Sequence, residues 1–181
     1  RLGIDTLSHE LYMRLSHSGI EVVPTALVEH MRWVKAPEEL SLIRQAAAYA
    51  DFCLEYVYAH AADIVRGGGT ELDILSACLS ATAAKMQDEL GDVFELRGGS
   101  IVGTVHSGPR AALPHGRPLE RKPLPGETLI AGIGATVGGY HAESGATFIL
   151  GEPTADQMHC LRASVACNDA GVAALRPGAT C

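Results

Sequence analysis

Residues 126–153 read GETLIAGIGATVGGYHAESGATFILGEP, and the fold turns on how this stretch is read. Two apolar runs, 129–135 and 146–151, flank a glycine-rich centre that also holds His141 and Glu143. Glycines at 132, 134 and 138 suggest a loop that cradles a dinucleotide pyrophosphate at a helix N-terminus. The spacing is GxGxxxG rather than GxGxxG, and a helix must follow such glycines directly. Here Gly138, Gly139 and Tyr140 follow, then a run rich in β-formers ending at Ile149. Glycine-rich sequence of this kind has low helix propensity. A β-hairpin fits better: a strand over 128–135, a turn around Val137 to Gly139 and a return strand over 140–150. No nucleotide is expected. Residues two apart on a strand share a face, so His141 and Glu143 point the same way. On pattern alone that face is expected to meet solvent.

Outward from the hairpin the chain is mostly helical. Pro37, followed by Glu38 and Glu39, is a helix start. Leu40, Ile43, Ala47, Ala50, Leu54, Val57, Ala61 and Ile64 then predict one apolar face, stopped by Gly67 to Gly69. Thr70 with Asp73 predicts an N-cap for a second helix carrying Leu72, Leu75, Leu79, Met86 and Leu90. SIVGTVHSG, 100–108, reads as a strand entering a proline-rich, irregular loop that reaches Glu127. Thr154 with Gln157 predicts a third capped helix, running to about Leu175. Before Pro37, LSHELYMRL reads as a short amphipathic helix, IEVV as a strand and TALVEHMRWV as a further helical turn or two. Helices, then strands, then a helix favour α+β over a regular βαβ alternation.

Composition narrows the function. The chain has 181 residues, 47% hydrophobic and 19% charged, which suits a globular domain and part of another. Its formal net charge of −7 and lack of a basic run argue against nucleic acid and anionic membrane. No apolar stretch approaches the ~18 residues needed to span a bilayer. The cysteines at 53, 78, 160, 167 and 181 form no CxxC pair, and they read as buried reduced thiols of a cytoplasmic protein. The first residue is Arg1 and the last follows Arg176-Pro177-Gly178, so the sequence reads as an internal piece of a longer chain.

Five segments, taken in order, resemble one family. VKAPEELSLIRQAAAYAD (34–51) resembles the linker and first helix of the catalytic domain of the pita-bread hydrolases, which include aminopeptidase P, prolidase, methionine aminopeptidase and creatinase. GGGTELDIL (67–75) resembles the start of that family's second helix, and SGPRAALPHGRP (107–118) its Pro-His-Gly loop. The hairpin resembles its two-stranded segment, and ALRPGATC (174–181) its next helix end. The resemblance implies an α+β pita-bread fold, first half only, over 36–181, preceded by the end of an N-terminal domain and linker over 1–35. Trp33 is then expected to pack between domains.

The resemblance also assigns chemistry. Peptidase members carry two aspartates on this hairpin that help hold two divalent ions, usually Mn, Co or Zn. Two such ions ~3.5 Å apart can bridge a hydroxide and polarise a scissile carbonyl. The first aspartate position falls on Gly132 and the second on Glu143, and the usual Thr-Arg-Thr is Gly145-Ala146-Thr147. Glycine has no donor, so the metal site is expected to be reduced to one ion or absent. His115 falls on the family's Pro-His histidine, which contacts substrate and helps move protons. The remaining ligands, a His and two Glu, are expected beyond residue 181.

The implied function is hydrolysis of C–N bonds in a short peptide or small molecule, of the Xaa-Pro peptidase or creatinase kind. A metal-free creatinase-like amidohydrolase and an inactive binding module are the alternatives. His115 is the catalytic candidate, Glu143 the metal candidate and His141 a substrate-binding candidate. His106, at the end of a strand, is a weaker one. The full-length chain is expected to form a homodimer.

Overall fold

The computed structural model describes residues 1–91 and 100–180. The chain divides into two compact units, Arg1–Leu42 and Ile43–Cys181. In the first, β1 (Leu2–Ile4) pairs in parallel with β2 (Val22–Pro24). Between them lies α1 (His9–His17), capped by the Ser8 side chain, and α2 (Leu27–Trp33) follows. β1 has no counterpart in the sequence reading, because three residues are too few to show a period. Trp33, expected to pack between domains, is 66% exposed and lies against the His30 ring, with centroids 4.5 Å apart.

The second unit is a three-stranded antiparallel sheet backed by helices. α3 (Pro37–Arg66) starts in the first unit and runs into the second, and α4 (Glu71–Leu90) follows a glycine stop in which Gly68 has φ +86°. Thr70 and Asp73 form the anticipated capping box, each side chain accepting the other's backbone N–H. The buried stripe of α3 is Ala46, Tyr49, Ala50, Cys53, Val57 and Ala61. It is rotated from the expected face, and Leu40 is 39% exposed. The helix is apolar over a wide arc, and small side chains at 46, 50, 53 and 61 allow close approach. Side-chain size therefore chooses the buried face more than hydropathy does. α4 likewise buries Ile74, Leu75, Cys78, Thr82 and Met86, while Leu72 faces out.

β3 (Ser100–Ser107), β4 (Thr128–Val137) and β5 (Tyr140–Ile149) lie in that order in the sheet. The hairpin is as the sequence suggests, with a two-residue turn of Gly138 (φ +58°) and Gly139 (φ +84°). Left-handed backbone at both turn residues matches the twist of the flanking strands, and glycine adopts it without strain. Gly132 and Gly134 sit inside continuous β4, so no phosphate-binding helix start exists there. Leu129, Ala131, Ile133, Ala135 and Val137 are buried on one face. That face meets the helices: Ser144 on β5 hydrogen-bonds Asp51, and Phe148 lies beside Tyr58.

α5 (Ala155–Ala174) has the anticipated Thr154–Gln157 capping box. None of its residues is buried, and Cys160 and Cys167 are exposed on it, contrary to the expectation of buried thiols. Cys53 and Cys78 are buried as expected, and Cys181 lies outside the described residues. Among the described residues, no helix is long and apolar enough to cross a membrane.

Candidate active site

The pleat sends alternate residues to the face opposite the helices. Register fixes which they are: Val102↔Gly134, Thr104↔Gly132 and His106↔Ile130 between β3 and β4. Between β4 and β5 the pairs are Gly132↔Gly145, Gly134↔Glu143 and Thr136↔His141. A cleft of about 440 Å³ opens on this face, with Thr104, Gly132, Gly134, Glu143 and Gly145 on its floor and Pro114 and His115 on its rim.

The sequence-derived candidates thus meet. His115 is exposed at the tip of the β3–β4 connection and lines the cleft. Glu143 lines it from β5. Gly132 lines it where the resemblance sets an aspartate, and a Cβ built there would have Thr104 Cγ2 as nearest neighbour, 3.7 Å away. Room for a side chain exists at 132 but no donor. Its cross-strand partner Gly145 is also bare, with Ala131 O 3.7 Å from its absent Cβ.

His141 flanks the cleft. Its Nδ1 lies 3.1 Å from Thr136 Oγ1 and its Nε2 3.1 Å from Glu143 Oε1. An Nε2–H tautomer satisfies both contacts, donating to Glu143 and accepting the Thr136 hydroxyl proton. The ring lies across Gly134, whose Cβ would stand 2.6 Å from His141 Cε1. The Glu143 side chain is 79% exposed and that of His141 45%. This partly agrees with the expectation of solvent, but the solvent is that of a concave wall.

The connection carrying His115 is tied down by a buried network. Glu71, at the start of α4, is fully buried. Its Oε1 accepts from Ser107 N (2.8 Å) and Ser107 Oγ (2.9 Å). Its Oε2 accepts from Leu119 N (3.0 Å) and from the Arg110 guanidinium. Arg110 also donates to the Arg117 carbonyl. Arg121 donates to Ser107 Oγ (2.7 Å) and to both oxygens of Glu127 (2.8 and 2.6 Å). The hydrogen bonds from Arg121 hold the Glu127 carboxyl below the usual glutamate range, and the same pairing raises the Arg121 guanidinium. Both arms of the loop, before and after His115, are thereby fastened to one carboxylate. Sequence reading missed this: Glu71 looks like an ordinary acid in a helix first turn.

Among the described residues the donors on the cleft face do not suffice for a metal centre. Among the described residues Glu143 is the one carboxylate lining the cleft, and His141 is its neighbour. Among the described residues, no group of three or more His, Cys, Asp or Glu is placed to hold a metal ion.

Comparison with known proteins matches residues 41–181 to metallopeptidase family M24. A probable dipeptidase, PepE, from Mycobacterium tuberculosis is 30% identical over 162 residues, covering 89% of this chain and 40% of that protein. An Xaa-Pro dipeptidase from Lactobacillus helveticus is 27% identical over 177 residues, 97% of this chain and 45% of that one. Among solved structures, an Xaa-Pro dipeptidase from Bacillus anthracis superposes with a TM-score of 0.68 at 25% identity, covering 88% of this chain and 42% of that one. The chain spans less than half the length of each of these relatives.

Proposed function

The chain belongs to metallopeptidase family M24, and from that premise we propose that it supplies one wall of the active site of a C–N bond hydrolase acting on short peptides of the Xaa-Pro kind. The fold is the α+β pita-bread fold of that family's prolidases, represented by about two-fifths of its length. One observation carries the proposal: His115, Glu143 and the open position at Gly132 line the same cleft. Glu143 and Gly132 share a face of the β4–β5 hairpin, and the β3–β4 connection brings His115 to the same cleft.

His115 is the group able to exchange a proton with a substrate amide. It is exposed on the cleft rim, where an imidazole can give or take a proton, as general acid–base catalysis needs. Glu143 offers a negative charge on the floor, suited to a substrate ammonium or one divalent ion, with His141 orienting it. A family built around two metals loses a ligand and a unit of negative charge at Gly132. We take the metal complement of the full-length protein to be one ion at most, and no step is assigned to it.

The facing glycines at 132 and 145 favour a second reading, metal-free hydrolysis of a small amide or amidine through His115. Substrate choice separates the two. The full-length protein, purified without chelators, should cleave Xaa-Pro dipeptides faster than dipeptides without proline. Cleavage of small amides with dipeptides untouched would favour the second reading; cleavage of neither would overturn both.

A further inference from the structure

We infer that His106 and Thr104 are positioning residues: together they clamp Gly116 and so aim the adjacent His115 into the cleft. The inference rests on the reading of His115 given above. His106 is fully buried, and neither of its ring nitrogens has a hydrogen-bond partner among the described residues. An imidazole in that condition adds nothing to stability that a hydrocarbon ring would not add better. What the ring touches is the Gly116 backbone. A Cβ built on Gly116 would lie 3.1 Å from His106 Cγ, 3.2 Å from Cδ2 and 3.4 Å from Nδ1, so the ring stands directly against the Gly116 backbone. On the same face of β3, the Thr104 hydroxyl donates to the Gly116 carbonyl. One residue thus blocks Gly116 from sinking towards the sheet while the other holds its carbonyl. Gly116 is buried, whereas His115 beside it is exposed on the cleft rim. Gly116 is not among the glycines with positive φ, so its backbone admits alanine, and the three atoms nearest a methyl group there all belong to the ring.

The clamp acts through the bulk of the ring, since its nitrogens are unpartnered, and this makes it testable in the full-length enzyme. Gly116→Ala should push the loop outward by a few tenths of an ångström and lower kcat on an Xaa-Pro dipeptide about 3- to 10-fold, with KM nearly unchanged. His106→Ala should lower kcat by a similar factor. The double variant should lose less than the product of the two, because the methyl group enters the space that the ring vacates. His106→Phe should keep kcat within about twofold and not lower the melting temperature. Thr104→Val, which cannot unfold the loop by crowding, should lower kcat alone.

Strictly multiplicative losses in the double variant would overturn the clamp, as would a His106→Phe enzyme as impaired as His106→Ala. If the wild type cleaves no peptide, the reading of His115 fails instead. The clamp is then judged by the His115 Cε1–H resonance. Displacement by Gly116→Ala, relieved in the double variant, upholds it; an unmoved resonance overturns it.

Discussion

Position 132, where the family resemblance sets an aspartate, carries no side chain in this chain. The backbone there is ordinary strand, and a Cβ would meet only a methyl carbon at 3.7 Å. Gly132→Asp should therefore fold, and its carboxylate would stand on the cleft face diagonal to Glu143. In the full-length protein the variant should gain stability on addition of Mn²⁺ or Zn²⁺ beyond any gain of the wild type, read as a larger rise in melting temperature. Equal rises would mean that position 132 does not govern metal affinity. Motif order singled out His115, Glu143 and Gly132 without any knowledge of packing, and the three line one cleft. His106 was read as a weaker candidate at a strand end, and its complete burial under Gly116 depends on a loop path that no local pattern encodes.

The loop between β3 and β4 is the element on which the site depends, and Glu71 is the residue that holds it. Removing one partner of a buried, hydrogen-bonded charge pair typically costs about 3–5 kcal/mol. Glu71→Ala would strand the Ser107 and Leu119 amides and the Arg110 guanidinium. It should lower the melting temperature by about 10 °C and reduce His115-dependent activity with it. Glu71→Gln keeps the acceptor on one side and should lose less.

The other clasp, Arg121–Glu127, sets a pH dependence. The Glu127 carboxyl is depressed in the fold by its hydrogen bonds from Arg121, so the fold binds fewer protons there than the unfolded chain. Its contribution is present above the ordinary glutamate value of about 4.3 and is lost as pH falls through the lower, folded value. Acid melts of wild type and Glu127→Gln should therefore draw together as pH falls below the ordinary glutamate value of about 4.3 and through the lower folded one. A gap between them that persists into acid would contradict this. Sequence periodicity located α3, α4, α5 and the hairpin because length, caps and glycine stops are local signals. It turned the α3 stripe wrongly and missed the Glu71 network, since both depend on what packs opposite.

At the scale of the whole molecule, burial is uneven. α3 and α4 bury side chains against the sheet side, while α5 buries none within this chain. Isolated helices are marginal without tertiary packing. In the 181-residue chain by itself, amides of α5 should exchange with solvent orders of magnitude faster than those at the centres of α3 and α4. Equal protection would show that α5 is stable without further packing. The open cleft face of the sheet follows the same logic. Its floor is glycine-rich and exposed along β5.

The central claim is that His115 moves protons at a peptide-cleaving cleft. The most direct measurement is kcat/KM of the full-length protein on an Xaa-Pro dipeptide, wild type against His115→Ala, with melting curves to confirm folding. General acid–base catalysis contributes typically 10²- to 10⁴-fold, so a loss of at least about a hundredfold is expected, chiefly in kcat. A folded His115→Ala enzyme within about threefold of wild type would contradict the account, because a loss that small leaves the imidazole no part in the chemistry.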